Sequence, residues 1–207
     1  MPVSANLLIP SPAANRHVQR GKTLATIIGS SAAAAALMTL IPLHESGGRQ
    51  YLKAYQDSGN IWTICDGIIK WPDGRPVRKG DTATVEQCRQ MLEAELIAHA
   101  EPLMQCLPQL YGRVNQVKAL VDASYNLGTS AICNGSIGKR IRVGDWAGAS
   151  QAILLYDRVT FPKPLPGRDC VKNKTKPGWA CKVRGLTLRR TQNKAMFDIA
   201  RPPQGVR

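Results

Sequence analysis

HESGGRQYLKAYQDSGNIWTICDG, residues 44–67, holds two carboxylates, Glu45 and Asp57, and a threonine, Thr63, within one glycine- and aromatic-rich run. LKAYQ and IWTIC are short β-prone runs, and Asp57-Ser58-Gly59-Asn60 between them is a turn-forming tetrad, so the stretch reads as a hairpin. A third extended piece around Ile68–Trp71 leads to a Pro72-Asp73-Gly74 turn. Asp73 is explained by that turn, and Asp66, beside Gly67 at a strand end, by a turn or an ion pair. Glu45 and Asp57 remain. Paired carboxylates on either side of a bound sugar are what glycosidic hydrolysis requires, one to protonate the leaving oxygen and one opposite it. By spacing alone, two acids near a hairpin are more often ordinary surface.

Downstream of the hairpin, helical patterns take over. Thr84-x-x-Gln87 is a capping box, and Val85, Cys88, Leu92 and Leu96 follow at helical spacing. Val117, Leu120, Val121 and Ser124 predict a second helix ending before Gly128. Asp145 is placed to cap a third, with Ala149, Ala152, Ile153 and Tyr156 inward. PKPLPGRD, from Pro162, reads as a loop, and Leu186–Ile199 as a final basic helix. No internal repeat is present.

Upstream, no acidic residue precedes Glu45. Arg16, His17, Arg20 and Lys22 are followed by residues 23–43, TLATIIGSSAAAAALMTLIPL, twenty-one residues without a charge. That length spans a bilayer as a helix, and the basic flank favours a cytoplasmic N-terminus. Alanine, glycine, serine and threonine make up twelve of the twenty-one, so the segment inserts weakly. A cleaved signal peptide and a buried helix of a soluble protein are the other two readings.

The 207-residue chain carries 28 Lys and Arg against 14 Asp and Glu, a net charge of +14. Twelve basic residues lie between Lys163 and Arg207, opposed by Asp169 and Asp198. Such a balance implies a polyanionic partner: nucleic acid, an anionic membrane or an acidic cell-surface polymer. Six cysteines without CxxC spacing, and three scattered histidines, argue against a metal site. An even cysteine count fits disulfides in an oxidising compartment, with buried reduced thiols as the alternative.

The run LKAYQDSGNIWTICDG resembles the active-site hairpin of the phage lysozyme (endolysin) family, glycoside hydrolase family 24. That family has a glutamate ending a helix, an aspartate after an "LKxYxD" strand and a threonine six residues on in an "xWTIGxG" strand. NQVKALVDASYNLG is similar to its "Q..AL..F.YN.G" helix, residues 80–96 to its interlobe helix, and RGLTLRR to its late "GL..RR" segment. The resemblance covers roughly residues 44–200. It implies an α+β, lysozyme-like fold, with a small β-hairpin lobe, a larger helical lobe and an N-terminal apolar helix. It also implies that Glu45 is the general acid, that Asp57 holds the attacking water with Thr63 as its hydroxyl partner, and that Asn126 lines the sugar groove. Eleven residues separate Glu45 from Asp57 where the family has eight, so ESGGRQY carries a three-residue insertion.

The resemblance further implies an inverting muramidase cleaving the β-1,4 bond between N-acetylmuramic acid and N-acetylglucosamine, with no cofactor and no metal. Residues 1–22 then form a cytoplasmic basic N-terminus, 23–43 a signal-anchor-release helix, and 44–207 the catalytic domain, split at residues 82/83 between the hairpin lobe and the helical lobe. The expected partners are peptidoglycan and, before release, the host inner membrane. The enzyme is then freed to the periplasm, as a monomer that binds no nucleic acid. The disulfide pairing taken is Cys65–Cys88, Cys106–Cys133 and Cys170–Cys181. Two alternatives stay open: a lytic transglycosylase using Glu45 alone, with Glu45-Ser46 as its Glu-Ser pair, and a non-enzymatic cationic wall- or membrane-binding protein.

Overall fold

The structure, a computed structural model, describes residues 22–57, 59–174 and 176–199, and of Glu45 and Ser46 the backbone only. The basic stretch containing Arg16, His17 and Arg20 lies outside the described residues, as does the tail past Ile199.

The uncharged segment forms two helices, α1 (Leu24–Ile28) and α2 (Ser31–Ser46), where the sequence suggested one. Gly29 ends α1 with φ +74°, and the Ser30 side chain accepts from the Ala33 N–H to start α2. A glycine in the left-handed region followed by a serine N-cap is a stop-and-restart signal that satisfies the freed backbone groups. Among the described residues no helix is long and apolar enough to cross a membrane. Instead Leu24, Ile28, Ala33, Leu37 and Ile41 are buried in the main core, packed against α3 (Val85–Cys106) and α4 (Val114–Leu127). Among the described residues, the packed core thus includes Leu24–Ile41 together with the helices that follow His44.

The hairpin pairs β1 (Tyr51–Gln56) with β2 (Trp62–Cys65) in antiparallel register, Tyr55 opposite Thr63 and Gln56 opposite Trp62. The outer side of β1 is covered by the 81–83 segment through Ala54 N–H to Asp81 O, 2.9 Å, and Ala83 N–H to Leu52 O, 2.9 Å. Ile64, Cys65, Ile68, Val77, Cys88 and Met91 form a separate small core beneath the hairpin. These two cores define the two lobes.

The capping box is present, with Thr84 and Gln87 exchanging side-chain and backbone bonds at 3.1 and 2.8 Å. Val85, expected inward, is exposed, while Cys88 of the same turn is buried in the small core. After α4 come α5 (Thr129–Asn134), α6 (Ser136–Arg142) and α7 (Trp146–Ile153), the last capped by Asp145 as its position suggested. PKPLPGRD is a loop, as expected, but it connects two strands of a three-stranded antiparallel sheet not anticipated from the sequence: β3 (Arg158–Phe161), β4 (Cys170–Lys172) and β5 (Trp179–Lys182), in the order β3-β5-β4. Strands of three and four residues interrupted by Pro, Gly and Lys carry too little alternation to announce themselves. Helix α8 (Arg184–Phe197) closes the chain against α4.

Disulfides join Cys65 to Cys88, Cys106 to Cys133 and Cys170 to Cys181. The first ties β2 to the first turn of α3, across 23 residues of sequence. Closing a loop of that length in the unfolded chain contributes about 3 kcal/mol. A Cys65→Ser/Cys88→Ser double variant is therefore expected to lose about that much in denaturant unfolding under non-reducing conditions. An unchanged midpoint would mean that the small core holds the hairpin on α3 unaided.

Candidate active site

The backbone of Glu45 lies in the last turn of α2. Beyond Ser46, Gly47 and Gly48 take φ +63° and +78°, and both of their N–H groups donate to the Pro42 carbonyl. Two successive left-handed residues are readily accepted only as glycine. They terminate the helix and turn the chain towards β1.

Asp57 ends β1, and its own side chain shapes the turn. Its Oδ1 accepts from the N–H of Gly59 and of Ile61, both at 2.8 Å, while its N–H donates to the Ile61 carbonyl at 3.0 Å. Asn60, at φ +60°, completes the turn, a conformation asparagine tolerates better than other side chains. Thr63 is buried on β2 and its hydroxyl donates to the same Ile61 carbonyl at 3.0 Å. Asp57 and Thr63 are thus both fixed to the Ile61 peptide, the carboxylate to its N–H side and the hydroxyl to its C=O side. With its proton committed there, the Thr63 oxygen is left as an acceptor.

Asn126 is exposed in the last turn of α4, and its Oδ1 accepts from Arg190 Nη2 at 3.1 Å. Arg190 is fully buried in α8. Next to it Arg189, 6% exposed, donates to Asp122 Oδ1 at 3.0 Å. Two of the twelve basic residues counted in the C-terminal part are therefore internal struts, and the solvent-facing charge is correspondingly smaller. The two acids of that stretch are paired as well, Asp169 with Lys182 and with Arg158 just upstream, and Asp198 with Lys194.

Asp122 was not singled out in the sequence, yet it is completely buried and gathers three side-chain partners from two other helices. His44 Nδ1 of α2 lies 3.2 Å from Oδ1, beside the Arg189 contact, and Asn193 Nδ2 of α8 donates to Oδ2. His44 Nε2 lies 2.7 Å from Gln192 Oε1. Burial pushes the Asp122 carboxyl up, but the His44 hydrogen bond, the Arg189 and His44 charges and Asn193 outweigh it and hold the group below the usual range. Asp122-Ala123-Ser124, two polar residues in an otherwise apolar stretch of helix, was the available signal, and it names no partner.

Between the lobes, Gly67, Ile68, Ile69, Glu95, His99 and Tyr125 line a cleft of about 140 Å³. The Tyr125 hydroxyl donates to the Asp66 carbonyl at 3.1 Å, tying α4 to the end of the hairpin. Burial lowers the tendency of His99 to protonate, only partly offset by Glu95. A larger cavity of about 280 Å³ between α1 and α3, lined by Lys22, Thr26 and Glu101 among others, is formed away from the hairpin.

A disulfide-stapled hairpin lobe on a helical body, with a carboxylate and a threonine set around one turn, is the plan of a lysozyme-like glycosidase. The phage lysozyme family model matches residues 45–193, and the chain belongs to that family. It is 32% identical to the endolysin of Salmonella phage P22 over 55% of this chain and 76% of that one. It is 31% identical to a SAR-endolysin of Enterobacteria phage H19B over 75% of this chain and 84% of that one. Among solved structures, the endolysin from Escherichia coli O157:H7 phage FAHEc1 superposes with a TM-score of 0.63 at 26% identity, covering 84% of this chain and 96% of that one.

Proposed function

We propose that this chain is a phage endolysin, a muramidase that hydrolyses the β-1,4 bond between N-acetylmuramic acid and N-acetylglucosamine with inversion. The observation that carries the reading is the shared anchoring of Asp57 and Thr63 on the Ile61 peptide. Both then present acceptor oxygens, so a water between them gives each a hydrogen and turns its remaining lone pair towards the anomeric carbon. Glu45 protonates the leaving oxygen from the opposite side of the sugar, a role that needs a carboxyl still protonated near neutrality, as burial beside apolar groups supplies. Asn126, held by Arg190, offers its amide to the sugar groove.

The life of the chain follows from its first segment. Residues 1–22 stay cytoplasmic while residues 23–43 lodge weakly in the inner membrane, and release sends the protein to the periplasm, where 24–46 fold as α1 and α2. The SAR-endolysin relatives support this order, as does the small-residue composition of the segment. The exposed lysines of the 158–182 region favour docking on wall carboxylates or anionic lipid.

The test is mass spectrometry of sugars released from purified peptidoglycan, with the fresh anomer read by NMR. Hydrated, reducing muramic acid ends in the inverted anomer are expected. Anhydro ends would replace the reading with a transglycosylase that does not use Asp57, and no soluble product would move the activity to the cationic surface.

A further inference from the structure

We propose that Asp122 is a positioning residue for the general acid, acting through His44 to set the last turn of α2; the inference rests on Glu45 being that acid. His44 immediately precedes Glu45, so whatever fixes its ring fixes the backbone from which the catalytic side chain departs. The imidazole, 11% exposed, is held at both nitrogens, by Asp122 of α4 at 3.2 Å and by Gln192 of α8 at 2.7 Å. Asp122 is in turn held by Arg189 and Asn193, so the group it offers His44 does not swing.

This arrangement matters because it anchors the end of α2 beyond the last residue that α2 places in the main core. The last apolar residue of α2 in the core is Ile41, and Leu43 is exposed. Directly after Ser46 come the two left-handed glycines, which have no side chain to pack. Beyond Leu43, His44 is the described side chain before β1 that reaches into the body of the protein, and it reaches a carboxylate with no solvent exposure. A removed donor would leave that buried charge with one partner fewer, which costs more than the net worth of the bond it made. Losing the contact lets the turn shift, and displacements of about 1 Å at a reacting group cost on the order of 10²-fold in rate. The contact joins α2 to α4 and α8, so it exists only once residues 31–46 have packed against the body. It is a specific signature of the released form within the site itself, and not a general consequence of burying the apolar face.

The experiment compares three variants of the full chain, His44→Ala, His44→Asn and His44→Gln, on soluble peptidoglycan fragments, with thermal unfolding run in parallel. Asparagine places its Nδ2 donor where the imidazole Nδ1 stood and retains the Asp122 contact. Glutamine places its amide nearer the Nε2 position and retains the Gln192 contact instead. The expected result is kcat about 10²-fold lower for His44→Ala and His44→Gln, with KM within about threefold, and kcat for His44→Asn within about threefold of the parent. A folded His44→Ala enzyme with unchanged kcat overturns the inference, as does His44→Asn being no better than His44→Gln. Equal losses in KM and kcat across the series also overturn it, since that marks general loosening of the groove. If His44→Ala does not fold, the Asn and Gln variants decide alone, because each keeps one of the two bonds. Absence of reducing ends from the unsubstituted enzyme is a different outcome, and overturns the glycosidase reading itself.

Discussion

Asp57→Asn is expected to leave the hairpin intact and to lower the rate of glycan hydrolysis by about 10²–10⁴-fold, the usual worth of a general base. The substitution is unusually clean. Oδ1 of Asp57 accepts from the Gly59 and Ile61 N–H groups, and an asparagine carbonyl oxygen accepts the same two bonds. Only the second carboxylate oxygen changes, from an acceptor to an NH₂ donor that competes with the water it is proposed to hold. Thermal unfolding should therefore move little while reducing-end release collapses. Retained turnover, with anhydro products, would remove Asp57 from the mechanism and leave Glu45 acting alone.

A chain beginning at His44 is expected not to fold. Leu24, Ile28, Leu37 and Ile41 are each at most 3% exposed, and burying a Leu or Ile side chain stabilises by about 1.5–3 kcal/mol. Four of them contribute roughly 6–12 kcal/mol, comparable with the roughly 5–15 kcal/mol that separates a whole domain from its unfolded state. Their removal also bares the faces of α3 and α4 on which they pack. Circular dichroism and thermal melts of residues 44–207 against residues 22–207 measure the difference. A cooperative transition at the same temperature in the shorter chain would show the segment to be a passenger. On the proposed release route, the same packing gives a reason for a tethered form to be inactive: with residues 23–43 in lipid, the body would lack part of its core.

The hairpin was legible because everything that makes it is local: two β-prone runs, a four-residue turn, and a glycine pair to swing the chain from α2 into β1. The same holds for the Thr84–Gln87 box and the Asp145 cap, each complete within four residues. The break at Gly29 was less visible, since a lone glycine in an alanine-rich run is equally compatible with one continuous helix in lipid. The β3-β5-β4 sheet was missed because its register depends on a disulfide and on strands too short to show a period. The Asp122 network was invisible for a different reason. Its members lie 67 to 148 residues apart in the contacts that matter, and nothing in an arginine's immediate neighbours distinguishes a solvated charge from a buried strut. Composition therefore overstated the cationic surface by counting Arg189 and Arg190 in it.

The three disulfides have a consequence for the cell that makes this chain. One holds the hairpin on α3, one holds α3 on α5, and one closes β4 on β5, so every staple lies in the part of the chain that carries the proposed chemistry or the basic sheet. A copy that strays into a reducing cytoplasm carries thiols at all six places and is the least stable form of the protein. A copy beyond the inner membrane acquires its bonds as it folds. On the proposed route to the periplasm, geography acts as a quality filter: the lytic form would be sturdiest where its target lies and frailest where its maker does.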